Sequence, residues 1–143
     1  MLKIRTAQED ALADEDFVRR LIAHIQTRAP DSAARLTYAQ LRSVVRHGIR
    51  VARSYDLTSE RDLAAFTLDM LAVNPEFHRQ YELSAILKNP DTPIDERMDR
   101  LLGASDPSWD EAATMTDAAV YWQNVLDSDP ESSLPDPTPG DPS

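Results

Sequence analysis

The chain contains no cysteine, which excludes disulfide bonds and thiol catalysis and fits a reducing cytoplasm. It has only three glycines, and apart from a short extended piece expected at Leu2–Arg5 it shows no clear apolar–polar alternation, which argues against a β-sheet. No run approaches the ~18 consecutive apolar residues that cross a bilayer, and the first residues lack the long apolar run of a secretory signal. We therefore expect a cytoplasmic protein with no membrane partner.

Sequence motifs that carry catalysis are also missing. There is no Gly-rich phosphate loop and no nucleophile elbow. The three histidines, His24, His47 and His78, are not paired with another His or Cys at metal-ligand spacing. His78 and Glu82 have the i,i+4 spacing of some metal ligands, but a solvated pair is the simpler interpretation. The sequence therefore predicts no enzyme activity, no cofactor and no metal site.

What the sequence does contain is charge that is sorted by position, within a net charge of −10. Nine arginines and only three acids lie between Arg19 and Arg61, and nine acids but no Lys or Arg follow Arg100. A second acidic cluster precedes the arginines and consists of Glu9, Asp10, Asp14, Glu15 and Asp16. A surface that serves solubility alone would intersperse the two signs. The sorting predicts faces that meet a charged partner, or each other.

Helical periodicity of the apolar residues predicts an all-α domain over residues 1–127, a compact bundle of about five to six helices. Thr37 and Gln40 have capping-box spacing at the start of the second helix, and Ser59 is a candidate cap for the third. Pro30-Asp31-Ser32 is typical of a turn. The helices are expected at about residues 11–27, from 37 to a connection at 55–57, and at 59–73, 82–87, 93–102 and 109–126.

The composition changes at Ser128, where prolines and acids become frequent. A segment of this kind buries too little apolar surface to offset the entropy of ordering. Residues 128–143 are therefore predicted to form a disordered, acidic, Pro-rich tail.

The sharpest local pattern is a row of arginines in the second helix. Arg42, Arg46, Arg50 and Arg53 fall within a sector of roughly 80° on a helical wheel. One interpretation is a docking face for an acidic partner or for phosphates. The other is a solvated face, paired within the chain to the acidic C-terminal region.

Aromatic residues near the end of the predicted bundle form a second feature. Trp109, Tyr121 and Trp122 are of the types enriched at interface hot spots. They equally suit the anchoring of a last helix onto its own core, and we favour this second interpretation.

Five pieces of the chain, in consistent order, are similar to a known group of proteins. They are Phe-Val-Arg-Arg-Leu at 17–21, Leu-Arg-Ser-Val-Val-Arg-His-Gly-Ile at 41–49, Tyr-Asp-Leu-Thr-Ser-Glu-Arg-Asp at 55–62, Asn-Pro-Glu-Phe at 74–77 and Pro-Ile-Asp-Glu-Arg-Met-Asp-Arg-Leu at 93–101. The stretch from Phe17 to Leu102 resembles small bacterial proteins encoded among type VI secretion genes, beside spike-tip, effector-adaptor and toxin genes. That group shows Gly-Pro before the acid-Phe pair and an acid after it, whereas this chain has Asn74 and His78 at those places.

The resemblance implies a chaperone or co-chaperone that helps to attach a toxin effector to the secretion spike. Its partner would be another protein: an effector, an adaptor chaperone or a spike-tip protein. We predict that Arg42, Arg46, Arg50 and Arg53 bind this partner. An immunity protein that neutralises a toxin through the acidic C-terminal region stays an alternative. A nucleic-acid-linked regulator is disfavoured by the negative net charge and by the lack of aromatics between the arginines.

Overall fold

The computed structural model describes residues 7–135, with side chains described from Asp14 onward, and these residues form eight α-helices, two 3-10 helices and no strand. The all-α prediction is confirmed, and the helices outnumber the five to six expected. The extended piece expected at Leu2–Arg5 lies outside the described residues. The α-helices are α1 (Ala7–Arg28), α2 (Pro30–Ala34), α3 (Tyr38–Ser54), α4 (Glu60–Ala72), α5 (Tyr81–Lys88), α6 (Ile94–Leu102), α7 (Asp106–Ala112) and α8 (Ala118–Asp127), and the 3-10 helices are Phe77–Arg79 and Pro130–Ser133.

Local capping residues fix the starts of the two central helices, as the sequence predicts. At α3 the Gln40 backbone N–H donates to Thr37 Oγ1 at 3.1 Å, and the Thr37 N–H donates to Gln40 Oε1 at 3.0 Å. At α4 the Asp62 N–H donates to Ser59 Oγ at 3.1 Å. Both caps involve residues within one helical turn, so spacing alone is enough to find them.

The helix predicted over residues 109–126 is wrong, because the structure divides it into α7 and α8. Asp117 caps α8 by accepting from the Val120 N–H at 3.1 Å. Asn74, which follows α4, stabilises the connection between α7 and α8. Its side-chain amide donates to the carbonyls of Ala113 at 3.2 Å and Thr116 at 2.9 Å. The turn expected at Pro30-Asp31-Ser32 is likewise the first turn of α2.

The tail predicted to be disordered from Ser128 is ordered in its first half, residues 128–135, which we call the C-terminal segment. Its 3-10 helix packs on α3. Polar contacts replace the apolar burial that its composition lacks: Ser132 Oγ donates to the Leu126 carbonyl at 2.8 Å, and Asp129 Oδ1 accepts from the Glu131 N–H at 3.0 Å. The second half of the predicted tail, residues 136–143, lies outside the described residues.

Helix α3 is the centre of the fold, since it contacts α1, α4, α8 and the C-terminal segment. Gly48 of α3 faces α4, and an added Cβ there would lie 2.8 Å from Thr67 Cγ2 and 2.9 Å from Thr67 Oγ1. Only glycine leaves room at this position for the Thr67 side chain. In the part of the chain that the structure describes, no helix is both long and apolar enough to cross a membrane.

Candidate functional site: the arginine face of α3

Four arginines form one side of α3, which we call the arginine face: Arg42, Arg46, Arg50 and Arg53. At 100° per residue its centre lies about 160° around the helix from Gly48. The face is therefore directed away from α4, and the interior contacts of α3 do not use it. This placement agrees with the spacing argument from the sequence.

Arg42 is fully engaged by carboxylates from two distant parts of the chain. Its Nε and Nη2 donate to Glu15 Oε1 and Oε2, each at 2.8 Å, which is a bidentate pair with α1. Its Nη1 donates to Glu131 Oε2 of the C-terminal segment, also at 2.8 Å. These bonds raise the pKa of Arg42, with the Glu15 bond the larger cause. The guanidinium therefore joins α1, α3 and the C-terminal segment.

Two further arginines of the face bind acids of α1. Arg46 Nη2 donates to Glu15 Oε2 at 2.5 Å, so Glu15 is shared between two guanidinium groups. The hydrogen bond from Arg42, helped by Arg46, lowers the pKa of the Glu15 carboxyl. Arg53 Nη2 meets Asp14 Oδ1 at 3.2 Å, with about half of each side chain exposed. The acids of the N-terminal cluster thus neutralise much of the arginine face, whereas the paired interpretation of the row expected the acidic C-terminal region, which supplies only Glu131.

Arg50 differs from the other three arginines of the face. It is exposed and makes no ion pair or hydrogen bond with any residue from 14 to 135. It lies at the rim of a cleft of about 410 Å³ between α3 and α8. The cleft is lined by Ser43, His47, Arg50, Tyr121, Asn124, Val125, Ser128 and Asp129.

Two hydrogen bonds organise this cleft. His47 Nε2 and Tyr121 Oη are 2.6 Å apart, and Ser43 Oγ donates to Asp129 Oδ2 at 2.6 Å. Burial, together with the charge of Arg50, lowers the pKa of His47, so the imidazole is neutral at pH 7. The Ser43 bond lowers the pKa of Asp129, which keeps that carboxyl ionised. The serine hydroxyl therefore pairs with a carboxylate rather than with the histidine. Arg50 is left as the charged donor that the cleft can present to an acidic group.

The other histidines have separate environments. His78, buried beside Phe77, shares a hydrogen bond of 2.7 Å between its Nδ1 and Tyr55 Oη, and burial lowers its pKa to about 4. Its predicted solvated pair with Glu82 is wrong, since Glu82 instead accepts from Ser105 Oγ at 2.9 Å and from Ser108 Oγ. His24 is exposed on α1. Among the residues with described side chains, no group of three His, Asp or Glu is placed to hold a metal ion.

The aromatic residues of α7 and α8 pack onto the core, as favoured from the sequence. Trp109 stacks on Phe77 with ring centroids 5.9 Å apart and an interplanar angle of 18°. Tyr121 and Trp122 both contact the His47 ring, at centroid distances of 5.6 Å and 6.0 Å. They serve to position α8, and with it one wall of the cleft.

Sequence reasoning missed the carboxylates that occupy the arginine face. Glu15 and Arg42 are 27 residues apart, and Glu131 is 89 residues from Arg42. No spacing rule connects positions so distant. The sorting of charge along the chain was the one signal, and from it the sequence named only the acidic C-terminal region as an internal partner of the arginines.

No protein-family model matches this chain, and no curated protein or solved structure is significantly similar to it.

Proposed function

We propose that this protein is a non-catalytic, cytoplasmic accessory factor that binds an acidic segment of another protein through the arginine face of α3. The observation that supports this most is the arginine face itself, which already binds three carboxylates, one of them in the bidentate geometry that arginine uses at interfaces. These ion pairs lie outside the packed interior. Exposed ion pairs of this kind add only ~0–1 kcal/mol each to stability. Such contacts contribute more to orientation and partner choice than to folding.

The partner in this proposal belongs to a type VI secretion system. By its sequence resemblance the chain acts as a co-chaperone or adaptor when a toxin effector is attached to the secretion spike. A factor of this kind must also release its partner, which favours a polar, charge-steered contact over a large apolar interface. The arginine face satisfies that requirement.

A pair of charge reversals tests the proposal. Arg50→Glu with Arg53→Glu alters the two most exposed arginines of the face, which have at most one ion-pair partner among the described residues. Arg28→Glu with Arg35→Glu makes the same change of net charge at exposed positions outside the face. Each purified variant is mixed with effector, adaptor and spike-tip proteins of a type VI secretion system from the same organism, and the captured protein is measured.

We expect the face variant to bind its partner at least ~10-fold more weakly, equivalent to about 1.4 kcal/mol, and the control variant to bind normally. Circular dichroism confirms that both are folded. The stronger variant, with Arg42, Arg46, Arg50 and Arg53 all changed to Glu, should abolish capture. Unchanged binding by the face variant would contradict the assignment.

An immunity protein is the second candidate, and the acids of α7 favour it. Asp110 and Glu111 are exposed, and neither makes an ion pair with any residue whose side chain is described. This surface is therefore available to a basic toxin. Co-expression with the toxin separates the two functions: an immunity protein restores growth, whereas a co-chaperone is needed for toxin export and gives no protection. Loss of that protection in an Asp110→Lys, Glu111→Lys variant would assign the contact to α7.

A further inference from the structure

We propose that the C-terminal segment is an intramolecular stand-in for the acidic partner segment and leaves the arginine face when that partner binds. This inference rests on the proposed function of the arginine face and adds the chemistry of the partner and the mode of its binding. The partner contributes a short acidic stretch of protein with two closely spaced carboxylates. The evidence is in how the segment is bound, how weakly it is held and what its departure would expose.

The segment binds α3 through two carboxylates that are two residues apart. Asp129 Oδ2 accepts from Ser43 Oγ at 2.6 Å, and Glu131 Oε2 accepts from Arg42 Nη1 at 2.8 Å. The donors are neighbours on α3, so the pair of acids engages adjacent positions. An acidic stretch of a partner protein presents the same groups at the same spacing.

Little apolar surface holds the segment in place. Its one large apolar residue, Leu134, is 55% exposed, and the Glu131 side chain is also 55% exposed. Ser132 is buried, but its contact is a hydrogen bond to the end of α8. Since hydrophobic stabilisation scales with buried apolar area, detachment of the segment costs far less than the unfolding of a helix.

The other acid bound to Arg42 cannot leave in the same way. Glu15 belongs to α1, whose neighbouring residues Phe17 and Val18 are 6% and 3% exposed and form part of the core. The Glu15 carboxylate can rotate away from Arg42, but it stays beside the arginine face unless α1 unpacks. The C-terminal segment is therefore the occupant of the arginine face that a partner can replace.

Departure of the segment would leave a row of donors on α3. Arg42 Nη1 and Ser43 Oγ would lose their carboxylates, close to Arg50, whose charge already helps to lower the pKa of Asp129. A protein carboxylate fits these donors better than a nucleic acid does, because the present occupants are carboxylates. A polyphosphate also brings more negative charge against the net charge of −10 than a segment with two carboxylates does.

A labelled synthetic peptide with the sequence of residues 126–135 is the probe. Its affinity is measured by fluorescence polarisation at low salt for the wild-type chain and for an Asp129→Asn, Glu131→Gln variant, in which the internal competitor is weakened. An Asp110→Asn, Glu111→Gln variant is the matched control, since it removes two exposed acids of α7. A second peptide, with Asn and Gln in place of its two acids, tests whether charge is needed.

We expect the segment variant to bind the acidic peptide at least ~10-fold more tightly than the wild-type and control chains do, because an attached competitor acts at a high effective concentration. The neutral peptide should not bind, and Arg42→Gln in the segment variant should abolish binding of the acidic one. Equal affinity for the segment variant and the control would overturn the inference, as would absence of binding to the segment variant. Equally tight binding of a 20-nucleotide single-stranded DNA would overturn the assignment of a protein partner.

The natural partner distinguishes this inference from the proposed function. Suppose that the Arg50→Glu, Arg53→Glu variant loses the partner while the segment variant captures no more of it than the wild type. The inference about the C-terminal segment is then wrong, and the proposed binding of the partner by the arginine face is retained. If the arginine reversal leaves capture unchanged, the docking face itself is wrong.

Discussion

The surroundings of α4 and the arginine face of α3 shift the pKa values of ionisable groups in opposite directions. Near α4, burial raises the pKa of Asp69 to about 7 and lowers that of His78 to about 4, so both groups are shifted toward their neutral forms. On the arginine face, hydrogen bonds lower the pKa values of Glu15 and Asp129 and raise that of Arg42, so all three are shifted toward their charged forms.

This difference separates what stabilises the fold from what is available for binding. In the interior a polar group has few partners and little water, so its environment determines stability. On the arginine face water competes with every ion pair, so breaking one costs little. The number of ion pairs is therefore a poor guide to stability here, and mutations on the two sides should differ in size, in pH dependence and in salt dependence.

The largest effect is expected inside, at Gly48. In Gly48→Ala the new methyl group would meet Thr67, which is fully buried, so α3 and α4 must move apart. We expect a loss of about 2 kcal/mol in the free energy of unfolding, after the gain in helix propensity is included. Urea denaturation measures it.

Two controls accompany the Gly48 substitution. A Cβ at Gly103 would meet its nearest atom at 3.5 Å, so Gly103→Ala should have little effect. Thr67→Ala should restore part of the loss in the double variant, because it removes the two closest atoms. Additive losses in the double variant would show that the contact between α3 and α4 is not the cause.

The next effect is expected at Asp69, which is half-buried, and it should depend on pH. The folded protein holds the Asp69 proton more tightly (pKa about 7) than the unfolded chain does (3.8), so this residue reduces the free energy of unfolding as pH rises from about 4 to about 7. Asp69→Asn should therefore stabilise the protein by about 1–2 kcal/mol at pH 8 and change little at pH 4. Denaturation across this pH range measures it.

The contribution of His78 to the free energy of unfolding changes with pH in the opposite direction. The two residues can therefore be distinguished by the sign of the pH dependence. Its folded pKa of about 4 lies below the ordinary 6.5, so its contribution to stability is lost as pH falls from about 6.5 to about 4. Asp110→Asn, on the exposed surface of α7, serves as the control for the same change in net charge. A stabilisation by Asp69→Asn that is equal at pH 4 and pH 8 would refute the burial of its charge.

The smallest effect is expected on the arginine face. Glu131→Gln removes an ion pair with Arg42 in which 55% of the Glu131 side chain is exposed. We expect a loss below about 1 kcal/mol in low salt and almost none in 1 M NaCl. Parallel denaturation curves for Glu111→Gln, which removes an acid without an ion pair among the described residues, isolate the effect of the contact. A loss above about 2 kcal/mol that persists in 1 M NaCl would contradict the expectation that ion pairs on the arginine face add little stability.

Short-range features of this fold could be predicted from the sequence, and long-range polar contacts could not. The capping box of Thr37 and Gln40 and the cap at Ser59 depend on neighbouring residues and are confirmed. The break between α7 and α8 interrupts a continuous apolar periodicity, because Asn74 binds the carbonyls of Ala113 and Thr116 from about 40 residues away. Nothing in the sequence around Asn74 indicates these two bonds.

Long-range polar contacts also could not be predicted at the candidate site. The side of α3 that carries the four arginines follows from their spacing, and the structure places them together there. Which acids meet them depends on how α1 and the C-terminal segment fold back, and that is a property of the whole chain. The segment itself was predicted to be disordered because its composition predicts little burial, and its order comes instead from polar contacts with α3 and α8.

The bond between Arg42 and Glu131 can form only late in the synthesis of the chain. A ribosome makes the chain from its N-terminus, so Glu15 is already present when Arg42 is added. Asp129 follows 86 residues after Ser43, and Glu131 follows 89 residues after Arg42. Until then Ser43 and one nitrogen of Arg42 are without their final carboxylates. Closure of this contact therefore marks a polypeptide whose synthesis has passed residue 131.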